Sequence, residues 1–177
     1  AVERILNIVF EYVDNRKEQP LTLEEDHEFA QHVAEESIVL LKNEEKVLPL
    51  EKNEKVAFIG GFVKNPRYQG GGSSHVNSFK VTSVWDALTE KENVIYAEGF
   101  SSETDVYDEK LAAEAIEAAK QVDKAVDFAG LPESFESEGY DRKHMHLPEC
   151  QDKLIAEIVK AQPNTIVVLH NGAAVEM

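Results

Sequence analysis

Cys150 is the only cysteine in 177 residues. No internal disulfide is possible, and no cysteine set exists to hold zinc. Basic residues are scarce as well: 18 lysines and arginines stand against 34 aspartates and glutamates, for a formal net charge of −16. Nucleic acids and anionic membrane surfaces are held by basic patches, so neither is expected as a partner. No run of 18 apolar residues occurs, so no membrane-spanning helix is expected. The amino terminus is acidic and apolar, without the basic stretch that opens a signal peptide. A cytoplasmic location is the expectation.

Several motifs are missing too. The pattern H-E-x-x-H is absent. His27 and His32 lie five apart in a helical pattern and face different ways. His144 and His146 lie in a segment that reads as an exposed loop. No metal site is expected. A glycine-rich stretch at 60–79 contains Gly60 and Gly61, then Gly70, Gly71 and Gly72 followed by Ser73 and Ser74. The P-loop needs a lysine after its last glycine, and none is there. The dinucleotide pattern G-x-G-x-x-G fails on spacing, and a cofactor turn is tight whereas this loop is long. No cofactor is expected. The serines near His75 lack the G-x-S-x-G turn of a nucleophile elbow. The loop reads either as a polar flap over a pocket, with Arg67, Ser73 and Ser74 as donors, or as a flexible surface loop.

What is present is a globular composition, 42% apolar and 29% charged, in a chain long enough for one domain with a buried core. Residues 1–13 carry a helical stripe at positions 2, 5, 6, 9, 10 and 13. Residues 15–20 read as a linker. Thr22 with Glu25 suggests a capping box before a helix over about 25–42. Strands and helices then alternate: strands at 56–60, 93–97, 125–131 and 165–170, helices at 82–89, 108–122 and 148–161. That order predicts an α/β fold, a largely parallel sheet flanked by helices in a flavodoxin-like sandwich, preceded by one or two helices and a linker. No helix follows the fourth strand, and the chain is expected to be a piece of a longer protein.

The stretch from Glu133 to Arg142 is the densest in chemistry. Three glutamates, an aspartate and an arginine fall in ten residues, just after the apolar third strand. Ligands of parallel sheets bind at such carboxyl ends. Glu136 and Glu138 point the same way in an extended segment and are expected to share a cavity and raise each other's pKa. Composition does not rank them. Asp141 and Arg142 read as a structural pair anchoring the loop. Asp127, inside the third strand, is a buried carboxylate with no evident function. Trp85 and Phe79 read as core residues.

Four segments together resemble the carboxyl-terminal α/β sandwich domain of glycoside hydrolase family 3, the β-glucosidase-like enzymes. They are A-E-E-S-I-V-L-L-K-N at 34–43 with L-P-L at 48–50; residues 56–60 with 67–77; residues 130–148, including E-S-E-G-Y-D-R; and 166–172. The resemblance implies that residues 1–25 are the last helix of an absent (β/α)8 barrel domain plus a linker, and that 26–177 are a partial sandwich domain. It implies a retaining β-glycosidase whose nucleophile lies on the absent barrel. The sandwich lends the acid/base, which in similar enzymes stands five residues before the aspartate of the D-R pair. Here that residue is Glu136, with Glu138 second, and Glu133 and Glu138 are expected to raise its pKa. Arg67, Ser73 and Ser74 would contact substrate, a β-linked glucoside or oligosaccharide. The partner is the barrel of the same polypeptide, and an uncovered sheet edge would allow self-association. The acidic loop argues against the family's N-acetylhexosaminidases. The other reading is a non-catalytic binding module recruiting a partner through the loop at 60–79.

Overall fold

The computed structural model describes residues 1–18, 20–139 and 141–177. It forms two compact units, Ala1–Val39 and Leu40–Met177. The first unit holds two helices, α1 (Val2–Asp14) and α2 (Leu23–Ser37), neither of which buries a residue. The apolar stripe of α1 is bare: Ile5 is 62% exposed and Phe10 59%. The capping box expected at Thr22 does not form. Thr22 occupies the N-cap, but its side chain makes no capping bond. The helix also ends sooner than its apolar pattern suggests. The Ser37 hydroxyl donates back to the Val33 carbonyl, and Ile38 turns extended. Such back-bonding competes with helix continuation, and β-branched Ile38 and Val39 prefer the extended form.

The second unit is built on four parallel strands: β1 (Val56–Ile59), β2 (Val94–Ala97), β3 (Lys124–Gly130) and β4 (Thr165–His170). Their order is β2-β1-β3-β4, the flavodoxin-like arrangement, with Val56 opposite both Val94 and Lys124 and Asp127 opposite Val167. Between them run α3 (Val84–Ala87), α4 (Glu109–Lys120) and α5 (Glu149–Ala161). The central strands β1 and β3 are buried along their whole length, as expected where both faces of a parallel sheet are covered. The outer strands are only partly covered. Helix α4 buries Ala112, Ala115, Ala118 and Ala119, side chains small enough to bring its backbone close to the sheet. Asp108 caps its start through the Lys110 and Leu111 amides. The stretch expected as a helix over 82–89 shrinks to one turn, closed by a Ser83–Asp86 capping box. Trp85 packs partly buried against Tyr96, whereas Phe79 is 54% exposed and not part of the core.

No helix among the described residues is long and apolar enough to cross a membrane. Where β1 and β3 end, the chains approach too closely for side chains. A Cβ on Gly60 would lie 2.4 Å from the Phe128 carbonyl oxygen, and one on Gly130 2.1 Å from that of His170. Glycine at both tips lets the following loops start from one tight ledge.

Asp127 is completely buried in β3, and neither carboxylate oxygen has a hydrogen-bond partner. Burial alone pushes its pKa from 3.8 to about 7. The folded chain therefore keeps a proton that the unfolded chain releases above pH 4, so stability falls as pH rises from about 4 to 7 and stays reduced above. The shift corresponds to roughly 4 kcal/mol at most. We expect Asp127→Val to raise the urea midpoint at pH 8 by far more than at pH 4. A variant equally stabilised or destabilised at both pH values would show that the carboxyl is not the cause.

Candidate functional site

Three loops leave the carboxyl ends of β1, β3 and β4 and meet above the sheet. The loop after β1 begins with a 3-10 turn, Gly61–Val63, and continues through Arg67 to the glycines and serines. The loop after β3 carries the three glutamates. It sits on a second apolar cluster of Ala129, Leu131 and Leu147, with Phe135, Leu169 and Val175 packed against it. The segment after β4 holds Gly172 and Ala174.

Arg67 ties these loops together. Its Nη1 donates to the Leu131 carbonyl at 2.6 Å and to Glu136 Oε2 at 2.5 Å, and Nη2 donates to the Glu136 carbonyl at 2.7 Å. The Gly172 amide donates to the same Glu136 oxygen at 3.0 Å. Both partners of the ion pair are largely covered, their side chains 13% and 19% exposed. Burial works to raise the Glu136 pKa. The hydrogen bonds from Arg67 and Gly172 and the charges of Arg67 and Arg142 outweigh it, holding the carboxyl below its ordinary value. The expected upward shift at Glu136 is thus reversed, because cations and donors surround it where carboxylates had been expected.

Glu138 is different. It is exposed, and its Oε2 accepts from the Ser73 hydroxyl in a short contact and from the Ser73 amide at 3.0 Å. These two bonds also hold its pKa below the ordinary value. The two loops pair as short parallel backbone: Gly71 bridges Ser137, and the Glu138 amide reaches the Gly71 carbonyl at 3.4 Å. Gly71 has to be glycine for this. A Cβ there would lie 2.5 Å from Glu133 Cγ and 2.6 Å from Ser137 Oγ. His75 faces Glu133 at 3.7 Å. The glycine-rich stretch is therefore engaged against the acidic loop and is not a free surface flap. Between them lies a cleft of about 420 Å³, lined by Gly70, Gly71, Ser73 and Ser74 on one side and residues 136–138 on the other.

Of the residues expected at a site, Glu136, Glu138, Ser73 and Ser74 line this cleft, while Arg67 has both terminal nitrogens committed to the loop. The Ser74 hydroxyl donates to the carbonyls of Gly70 and Gly71. Arg142 has the anchoring role expected of it, though among the described residues no ion pair joins it to Asp141. Its described bond runs to the Ala174 carbonyl at 2.6 Å. The rings of His144 and His146 stack at 5.3 Å, and His146 pairs with Glu176 at 3.3 Å. Among the described residues no group of three or more side chains could hold a metal ion. Sequence reasoning missed the Gly172 amide and the Leu131 carbonyl. Backbone groups leave no residue-type signal, and only the sheet order brings them together.

Residues 38–177 match the Glycosyl hydrolase family 3 C-terminal domain. The chain belongs to this family. It is 47% identical over its full length to thermostable beta-glucosidase B of Acetivibrio thermocellus, covering 24% of that protein. Over 84% of its length it is 42% identical to an exo-alpha-(1->6)-L-arabinopyranosidase of Bifidobacterium longum, covering 21% of it. The structure of a Bifidobacterium adolescentis GH3 beta-glucosidase superposes on 92% of the chain with a TM-score of 0.85 at 40% identity, covering 24% of that protein. The chain thus spans about a quarter of the length of the relatives it matches.

Separating the paired loops should leave the core alone. We expect Gly71→Val to shift thermal unfolding by less than about 1 kcal/mol, as for substitutions outside the core, yet to speed tryptic cleavage after Arg142 and Lys143 several-fold. Unchanged proteolysis would show that Gly71 does not hold the acidic loop.

Proposed function

We propose that this chain is the acid/base-bearing domain of a retaining, β-glucosidase-like glycosidase, and that the barrel domain of the same polypeptide supplies the nucleophile. The carrying observation is the exposed Glu138 carboxylate, held beside Ser73 in a cleft at the carboxyl ends of the strands. Family membership and the names of the relatives supply the substrate class, a β-linked glucoside or a related sugar.

The geometry favours Glu138 over Glu136 for this role. A proton donor has to reach the glycosidic oxygen and change its protonation state during turnover. Glu136 is gripped by Arg67 and by an amide, both of which favour its ionised form. Glu138 is exposed, and its partner Ser73 is a hydroxyl that can rotate. The role implied for Glu136 by motif position therefore passes to Glu138. All three suggested sugar contacts have donors engaged within the loops, and Ser73 is the one whose donors are engaged with Glu138 itself.

Retaining hydrolysis needs two carboxyl groups about 5 Å apart, one attacking the anomeric carbon and one protonating the leaving oxygen. Glu138 gives its proton to the leaving group and then takes one from the water that releases the sugar. In the chain alone Glu138 sits in water with a lowered pKa, which suits the second step and not the first. Docking of a barrel would remove that water, and desolvation raises a carboxyl pKa. The acid form is thus expected only in the assembled enzyme, and the 177-residue chain by itself is expected to be inactive.

In the full-length polypeptide, Glu138→Gln is expected to lower kcat/KM on a β-glucoside with a poor leaving group by about 10²–10⁴-fold. It should lower it much less on a dinitrophenyl glucoside, which needs no protonation. Azide should partly restore turnover of Glu138→Ala with that activated substrate. Equal losses on both substrates, with no azide effect, would remove Glu138 from the role.

A further inference from the structure

Glu136 has no step in that chemistry, yet the segments after β1 and β4 both bind it. Arg67, on the loop after β1, holds both its carboxylate and its carbonyl. Gly172, after β4, donates its amide to the carboxylate, and a Cβ on Gly172 would stand only 3.2–3.4 Å from the carboxylate atoms. The same Arg67 also binds the Leu131 carbonyl at the start of the acidic loop, so one guanidinium spans residues 131 to 136. Arg142, on the returning limb, is fixed to Ala174, and its positive charge also acts on Glu136.

The grip does not loosen easily. Glu136 Oε1 is buried without a partner, as is Arg142 Nη1. If Arg67 let go, a carboxylate already short of partners would be left largely buried without its counter-charge. From Glu136 the order passes along the backbone. Ser137 bridges Gly71, and the Glu138 amide meets the Gly71 carbonyl, so the residue next to the clamp and the one after it are both fixed to the loop after β1.

We propose that Glu136 is a positioning residue: its carboxylate fastens the loop after β3 to the segments after β1 and β4 and so sets where Glu138 meets the substrate. The inference rests on Glu138 being the proton donor. A displacement of about 1 Å at a reacting group costs on the order of 10²-fold in rate, so the clamp governs turnover without touching the sugar. Arg67 belongs to the same device.

The test uses the full-length polypeptide with Glu136→Gln, Arg67→Met, their double variant and Glu138→Gln. Substrates are aryl β-glucosides of poor and good leaving groups. Both single clamp variants should lose about 10–100-fold in kcat/KM on the poor leaving group and less on the good one. The double variant should lose no more than the worse single, because the two residues act as one unit. The basic limb of the pH profile of kcat/KM should persist in the clamp variants and vanish in Glu138→Gln.

Clamp variants with unchanged kcat/KM, or losses that multiply in the double, overturn the inference while leaving Glu138 as donor. A basic limb lost in Glu136→Gln and kept in Glu138→Gln overturns both assignments at once. If the charge variants do not accumulate as folded protein, Gly172→Ala decides, since it crowds the carboxylate while keeping every charge. It should show the same leaving-group-dependent loss at an unchanged melting temperature, and an unaltered rate would sink the proposal.

Discussion

Arg67 and Glu136 stand 69 positions apart in sequence, and their ion pair is the joint on which the upper half of this domain turns. The sheet fixes where the loops after β1, β3 and β4 begin, but long loops wander unless something closes them. Apolar packing reaches only the base of the acidic loop, through Leu131, Phe135 and Leu147. Above that level the cohesion is polar: the Arg67 and Arg142 guanidinium groups, the Glu136 and Glu138 carboxylates, the Gly172 amide and the Gly71–Ser137 bridge. An exposed ion pair would contribute little there. This one is largely covered and supported by backbone groups, so removal of either partner leaves the other's charge largely buried and without its counter-charge. That asymmetry gives a loop of charged and small residues one conformation.

The same joint explains why acidity in the sequence does not become acid strength in the fold. A chain with a net charge of −16 invites the reading that clustered glutamates raise one another's pKa. The structure separates them chemically. Glu136 faces Arg67 and an amide, Glu138 faces Ser73, and His75 lies near Glu133. Both candidate carboxyls are consequently held below the ordinary range. An exposed carboxylate with a lowered pKa is a poor acid, but it gains one property from its position: its environment changes completely when another surface covers the cleft. On the proposed reading, a site shared with a second domain would tie the protonation of the donor to the presence of that domain.

The alternation of strands and helices was legible because parallel strands buried on both faces leave short continuous apolar runs, as in β1 and β3. Residues 133–142 stood out because charge following such a run falls at a strand tip. The boundaries at Ser37 and Ala87 were not legible, since they depend on a hydroxyl bonding back to Val33 and on a cap at Ser83. The different surroundings of the two glutamates, on which their proposed ranking rests, were hidden for a different reason. Glu136 and Glu138 are identical in type and spacing, and what distinguishes them is an arginine 69 residues away and a backbone amide 36 residues away. The glycine triplet gave a true signal with an ambiguous meaning. Close approach requires small residues as much as flexibility does, and only the contact of Gly71 with the acidic loop decides between them.

Asp127 shows the opposite economy. It lies in the best-packed strand, opposite Ile59 and Val167, with no donor for either oxygen. By the size of its pKa shift a charged carboxylate there costs roughly 4 kcal/mol, a large share of a domain's usual margin of about 5–15 kcal/mol. The proton it keeps up to about pH 7 lowers that cost to the desolvation of a neutral acid. Below about pH 7 the strand therefore carries a polar group without a charge. The neighbouring runs of β1 and β3, buried throughout, absorb the difference. Glu136 and Asp127 are thus two answers to one constraint, a carboxyl withdrawn from water. At the strand tip arginine and backbone donors can reach it, and it stays ionised. In the middle of the sheet every backbone donor serves the ladder, and it keeps its proton.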